Sequence, residues 1–351
     1  MVDLTTFAAN PDSERFESTM QSTPVAGIKP LYISDKGIPK EIFSEVVGAA
    51  DLINDGTNIE ASLFLTYGGA SPAYSFIGDW KSQSSQVLVN YKVGFIPPIE
   101  PEYSPLVLFE NGEEGAWYDP SDLSTLFQDA AGTVPVTADG DPVGRMLDKS
   151  GNGNHATQSV SGARPVYRTD GALHWLQFGG VNQFMETAAI DFTGTDKMTA
   201  VSGARKESDL SSAIMYELSS SSATEKGSFG LLAPSSSGGN SYRAVSRGTK
   251  VVVAGVGSFA PAPDVAVLSL LADISLPSLK LSRNSNIIEA STETQGSGNY
   301  GNYVLYIGIR NGVSAPFNGD IYSLTIRGAK TTASDLAHLE QYTATLTGVT
   351  I

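Results

Sequence analysis

The sequence predicts a mainly β fold, an antiparallel sandwich preceded by a small α+β module. Three observations carry that prediction. Short runs of β-branched and aromatic residues recur through residues 106–351 with turn residues between them, the pattern that a two-sheet antiparallel sandwich requires. Glycine is abundant at 36 residues, beside many Ser, Thr and Asn, which suits tight turns better than helix interiors. Pro97, Pro98, Pro101 and Pro105 crowd one short stretch and make an extended, semi-rigid spacer ahead of the sandwich.

Composition excludes several classes. A chain of 351 residues has room for one large β-domain and a smaller module. The formal net charge is −15, leaving no basic face to neutralise phosphates, so nucleic acid is not an expected partner. No apolar run approaches the ~20 residues that span a bilayer, and no membrane partner is expected either. With no cysteine, disulfides, thiolate metal sites and cysteine nucleophiles drop out. Met1 to Phe7 lacks the basic patch and apolar core of a secretory signal, so the expectation is a chain made in the cytoplasm and released by lysis.

Residues 1–30 are polar and interrupted by Pro11, Pro24 and Pro30, which predicts an extended arm without a core of its own. Residues 31–96 read as a small α+β attachment module. Ile42, Phe43, Val46, Val47 and Ala50 share one face of a short helix, and strands are expected over 61–67 and 86–96, where Val87, Val89, Tyr91, Val93 and Phe95 alternate with mostly polar residues. Residues 97–105 are the linker and 106–351 the sandwich. There Leu106 to Phe109 reads as a first strand and Asp122 to Gln128 as a short helix or turn. Further strands are expected over 175–178, 198–202, 213–218, 228–232, 242–246, 251–256, 265–272, 279–283, 303–309 and 321–327. A C-terminal amphipathic helix carrying Leu336, Leu339, Glu340 and Tyr342 follows, with Ser334 as its N-cap.

The most distinctive stretch opens with Trp117-Tyr118-Asp119-Pro120-Ser121-Asp122-Leu123 and passes through Gly140-Asp141-Pro142-Val143-Gly144. It continues into Leu147-Asp148-Lys149-Ser150-Gly151-Asn152-Gly153-Asn154-His155 and on to Leu173-His174-Trp175-Leu176-Gln177-Phe178-Gly179-Gly180. The order and spacing of these blocks resemble the first third of a LamG-like, concanavalin A-like jelly-roll domain, in particular the version found in bacteriophage virion proteins. Phe317-Asn318-Gly319-Asp320-Ile321-Tyr322 is similar to the closing strand of such domains, and the C-terminal helix matches the phage-type pattern. The resemblance covers about residues 115 to 351. It implies a concanavalin A-like antiparallel β-sandwich on a virion, as a tail fibre, head decoration or adsorption appendage. The N-terminal arm and module would contact other virion proteins, and the chain would form a homo-oligomer, a trimer by analogy. A host-surface glycan is the implied ligand.

Within that stretch, Trp117, Asp119 and His155 are the candidate ligand-binding residues; Trp117 reads either as a platform for a sugar ring or as a core anchor, and His155 also reads as hydrogen-bonded within the fold. Asp148, Asn152 and Asn154 lie in a loop whose glycines and asparagines brace a tight turn. The same three residues could offer oxygens to a calcium ion, the one cofactor this loop suggests; the EF-hand alternation is absent. Relatives often read F-D-G where this chain has Phe178-Gly179-Gly180, which removes one oxygen from any cation site. Glu113-Glu114 and Glu207-Ser208-Asp209 read as solvated surface. The serine runs 219–222 and 235–239 read as exposed binding loops at one end of the sandwich. The E-x-D-x-x-E pattern of laminarinase-like enzymes and a G-x-S-x-G elbow are both missing, so the reading is of a non-enzymatic protein. The alternatives are a polysaccharide-degrading depolymerase or a bacterial carbohydrate-binding module.

Overall fold

A computed structural model describes residues 103–254 and 260–351, and before residue 103 only the backbone of strand segments. The chain divides into two compact units, Met1–Glu102 and Tyr103–Ile351. In the first, Phe7–Asn10 and Arg15–Ser18 pair antiparallel inside the stretch read as an arm, and Ile33–Ser34 joins them. Asn58–Thr66, Ala73–Gln83 and Gln86–Phe95 form an antiparallel meander with Ile53–Asn54 at its edge. The middle strand of that meander is an addition to the expected pair: Gly78-Asp79 breaks its alternation of Tyr74, Phe76 and Trp80. The helix expected over 42–50 lies outside the described residues.

The second unit is mainly β, as expected: two antiparallel sheets face each other. One sheet runs in the order Val166–Thr169, His174–Gly179, Asn318–Arg327, Lys197–Lys206, Asp264–Asp273, Ser278–Arg283, Asn286–Ser291. The other runs Val251–Ala254, Arg243–Arg247, Ser228–Leu232, Ile214–Leu218, Asn302–Ile307, Met185–Asp191, then three short strands ending at Leu126–Phe127. Strand Asn318–Arg327 has one edge shared by two partners. Its first half pairs with His174–Gly179 and its second half with Gly115–Tyr118, in the register Tyr118 to Leu324 and Gly115 to Arg327.

Alternation explains where the core sits. Along Asp264–Asp273, Ala266, Leu268, Leu270 and Ala272 join the core between the sheets, whereas Val267 belongs to a second cluster with Leu108, Phe109, Trp117, Val201, Leu339 and Ala344. That second cluster lies under the helix Ala333–Thr347, which covers part of the outer face of the first sheet. A strand buried on both faces reads as a continuous apolar run, which is how Val265 to Ala272 looks in the sequence. Gly203 seats the helix: a Cβ there would stand 2.3 Å from Thr347 Cγ2 and 3.0 Å from Thr343 Cγ2.

Three local expectations are corrected. Leu106 to Phe109 belongs to the 3₁₀ turn Pro105–Phe109 rather than to a strand, because Ser104 Oγ accepts from Leu106 N (3.3 Å) and Pro105 presets the first turn. The C-terminal helix is capped by Thr332, whose hydroxyl accepts from Asp335 N (3.1 Å), two residues before Ser334. The two serine runs lie at opposite ends, since one joins Leu218 to Ser228 and the other joins Leu232 to Arg243 across antiparallel neighbours. Nor is the first run loose. Ser219 and Ser222 are buried, and Ser220 is tied to Glu225; only the tip of the second run, around Ser236 and Ser237, is exposed.

Candidate functional site

The residues singled out in the sequence do come together, as a lock joining strand Gly115–Tyr118, the 148–155 loop and the C-terminal helix. Asp148 carries the loop. Its Oδ1 accepts from Trp117 N and Ser150 N (2.9 Å each), and its Oδ2 accepts from Ser150 Oγ (2.8 Å) and Asn154 N (3.0 Å). A carboxylate has about four lone-pair sites, so all are committed. Asn152 Nδ2 donates to the carbonyls of Glu113 and Gly115, and Asn154 Nδ2 to Gly115 O and Glu114 Oε1. The trio is turned to bracing the chain, and Asp148 has no lone pair left for calcium.

His155 Nδ1 accepts from Asp148 N at 3.0 Å, which requires that nitrogen to be unprotonated. Burial and the nearby Arg145 charge hold its pKa below the ordinary histidine value against the opposing pull of Asp148. Asp119 is buried and fully used. Oδ1 accepts from Ser121 N and Oγ, and Oδ2 from Tyr342 OH (2.8 Å) and Lys149 Nζ (3.4 Å). Trp117 is 6% exposed, with Lys149 Nζ 4.6 Å above its ring and Tyr342 edge-on at 6.1 Å. No open ring face is left on which a sugar could stack.

The acidic clusters are not free surface either. Glu113 pairs with Arg327 (2.6 Å). Asp209 binds the fully buried Lys206 (2.5 Å) and accepts from Ala262 N (2.7 Å). Glu207 pairs with Arg205 (2.8 Å).

A different group of side chains is left with unspent chemistry. The C-terminal helix stops over Gly203 and, beyond it, the outer face of the first sheet is open. The cross-strand row Gln177, Asp320, Arg205 and the neighbouring pair Arg168 and Trp175 share this face. Trp175 leans on Tyr322, ring centroids 5.5 Å apart at 40°. Trp175, Arg168 and Arg205 are half-buried and Gln177 is exposed, while Asp320 beneath them is 2% exposed. Arg168 Nε donates to Asp139 (2.9 Å), and its Nη1 makes only a long contact with Gln177 Oε1 (3.5 Å).

Asp320 is the unusual member. Its Oδ1 is buried, and so is Trp175 Nε1. Burial pushes its carboxyl up to about 7, with a further push from the Glu207 charge, against the pull of Arg205, Arg168 and the adjacent Trp175 indole. The indole N–H donates to the carboxyl and favours its ionised form. Perturbed groups of this kind cluster at functional sites. The sequence carries a trace of the arrangement: Trp175 and Gln177 alternate with core residues Leu176 and Phe178, and Asp320 precedes Ile321, so all three point outward once the strands are paired. Which strands pair could not be read from sequence.

Fold and patch together define a class, an antiparallel β-sandwich with an open aromatic and polar face. No family model and no curated protein matches the chain. Among solved structures, it is similar to domain 4 of a GH43 extracellular arabinanase from Geobacillus stearothermophilus in complex with arabinotriose, at TM-score 0.46 and 15% identity over 65% of this chain and 99% of that one. It is also similar to the binding domain of botulinum neurotoxin DC in complex with SialylT, at TM-score 0.43 and 8% identity over 56% of this chain and 48% of that one. A third is Trypanosoma rangeli sialidase in complex with the inhibitor DANA, at TM-score 0.42 and 12% identity over 84% of this chain and 45% of that one. The chain spans about half the length of the last two. These likenesses are of architecture only.

Proposed function

We propose that the chain is a non-enzymatic glycan-binding protein of a bacteriophage virion, attached through its N-terminal unit and displaying the sandwich in several copies. The observation that carries the binding part is the open outer face, where an aromatic ring, two arginines, an amide and a buried carboxyl lie together. Sugar sites combine a flat apolar surface with a few placed polar groups. The virion setting rests on the resemblance of residues 117–180 and 317–322 to phage jelly rolls. Weak sugar contacts suffice on a particle, because linked copies bind far more tightly than one.

Two measurements test this reading. Mass spectrometry of purified virions is expected to find the chain in multiple copies, and its absence from the particle refutes the setting. The purified full-length chain is expected to compete with virions for host cells, and competition should disappear once surface polysaccharide is stripped. A depolymerase is the second reading, favoured by one observation: Asp320, with its raised pKa, feels the charge of a second carboxylate, Glu207, and glycosidases work with a pair of carboxyls. Release of reducing ends from capsule or lipopolysaccharide, lost in Asp320→Asn and in Glu207→Gln, would establish it over the first.

A further inference from the structure

We propose that the outer face of the edge hairpin Arg243–Arg247 and Val251–Ala254 docks a linear polysaccharide bearing carboxylates, through Arg243, Arg247, Lys226 and Lys250. This rests on the glycan-binding reading and adds to it a second surface, on the other sheet, and a class of sugar.

The net charge of −15 conceals a local reversal. Between Glu225 and Asp264 the chain has no acidic residue, and its four cations there are Lys226, Arg243, Arg247 and Lys250. That stretch supplies strands Ser228–Leu232, Arg243–Arg247 and Val251–Ala254, which form one end of the second sheet. Among the described residues, none of the four cations has a carboxylate within ion-pair distance. Arg283 and Arg310, by contrast, are spent on Asp264 and Glu217. At physiological salt a charge is felt over about 8 Å, so the acid excess elsewhere on the molecule does not cancel those of the hairpin.

Alternation places these charges. Ala244 is buried in the core between the sheets, and Ser246 is buried against Tyr300, its hydroxyl 2.8 Å from the phenol oxygen. Arg243, Val245 and Arg247 therefore face outward. Val251 and Val253, opposite Arg247 and Val245, are 43% and 41% exposed. Arg247 Nη1 donates to Ala223 O (2.6 Å) and Gly227 N donates to Arg247 O (2.9 Å), which brings the turn carrying Lys226 alongside. Lys250 stands exposed in the turn from Arg247 to Val251. A row of cations thus runs beside an apolar strip.

Three features choose the partner. Arg243 and Arg247 are four residues apart on a strand, about 13 Å, a spacing that suits an extended chain of repeated charges better than one small anion. The outward positions of the three strands carry no aromatic ring, and such rings are the platform on which proteins stack single-stranded nucleic acid. A duplex presents one charge per about 1.7 Å, a density four spread cations do not match. A polysaccharide with one carboxylate per sugar has sparser charge, and its C–H surface can lie on Val251 and Val253. Guanidinium groups meet carboxylates with two parallel hydrogen bonds.

The test titrates the full-length chain with hexagalacturonate, a sialic acid hexamer and maltohexaose, following the Val251 and Val253 amides by nitrogen-15 NMR. At least one acidic hexamer is expected to shift both amides and to bind less tightly as salt rises from about 50 mM to about 500 mM. Maltohexaose should leave them unmoved. Arg243→Gln with Arg247→Gln should lower affinity for that hexamer about tenfold, and Lys226→Gln with Lys250→Gln, both in exposed turns, about threefold. Arg168→Gln, on the other sheet, should leave it unchanged. The amide shifts on the unaltered chain keep the test decisive even if the arginine variant misfolds. Acidic-sugar binding that leaves these amides unmoved, or that is lost in Arg168→Gln instead, overturns the surface and leaves the glycan-binding reading intact. Binding of maltohexaose alone does the same. Tighter binding of a thymidine oligonucleotide or of inorganic polyphosphate than of either acidic hexamer overturns the choice of partner. Binding of no saccharide at all defeats both.

Discussion

Asp148 shows how a functional-looking residue can be entirely structural. Its four accepted hydrogen bonds draw on Trp117, Ser150 and Asn154, so Asp148→Ala strands several buried donors at once. We expect it to lower stability by about 3 kcal/mol or more in urea unfolding. Because that carboxylate is saturated, adding calcium or a chelator should leave the melting temperature unchanged. His155 gives a pH signature. Its folded pKa lies below that of the unfolded chain, so below about 6.5 the unfolded state binds a proton that the folded state refuses. Stability should therefore fall as pH drops through that value, and His155→Asn, which can still accept from Asp148 N, should flatten the drop. Asp320 has the opposite profile. Its folded pKa is raised, so it costs stability as pH rises from about 4 to about 7, and Asp320→Asn should raise the melting temperature more at pH 8 than at pH 4.

Among elements, the C-terminal helix decides which half of the outer face is open. It is held by its Thr332 cap, by Leu339 in the second core, and by Glu340, which accepts from Ser285 (2.8 Å) and Ser269 (2.5 Å). Leu339→Ala is expected to cost about 2–5 kcal/mol. Gly203→Ala would drive a methyl into Thr347 and Thr343, at about 1–3 kcal/mol, and chemical shifts of the helix should move with it. Sequence periodicity located most of the long strands and this helix, because alternation and i, i+3, i+4 spacing are local properties. It placed the cap two residues late, because Thr332 and Ser334 both carry a hydroxyl able to accept from a first-turn N–H and only the chain direction before the helix chooses between them. It misread Leu106 to Phe109, where four apolar residues fit a strand until Ser104 and Pro105 are seen to start a turn. The Trp175 and Asp320 pair was out of reach for another reason: 145 positions separate the two along the chain, and only strand order makes them neighbours.

For the whole molecule, the two sheets share a single interior. Strands remote in sequence alternate across it, and Gly115–Tyr118 finds its partner only at Leu324 to Arg327. Pairing so non-local is slow to form, so refolding of the sandwich from urea is expected on the millisecond-to-second scale or slower, measured by tryptophan fluorescence after stopped-flow dilution. The shared edge of strand Asn318–Arg327 also matters during synthesis. A nascent chain on the ribosome holds Gly115–Tyr118 and His174–Gly179 without their common partner until about residue 327 has left the exit tunnel. Two segments far apart in the chain thus wait on a strand made much later. Any message truncated ahead of this strand would leave Gly115–Tyr118, His174–Gly179 and Lys197–Lys206 each with an unpaired edge, a substrate for chaperones or proteases rather than a partly working binding module.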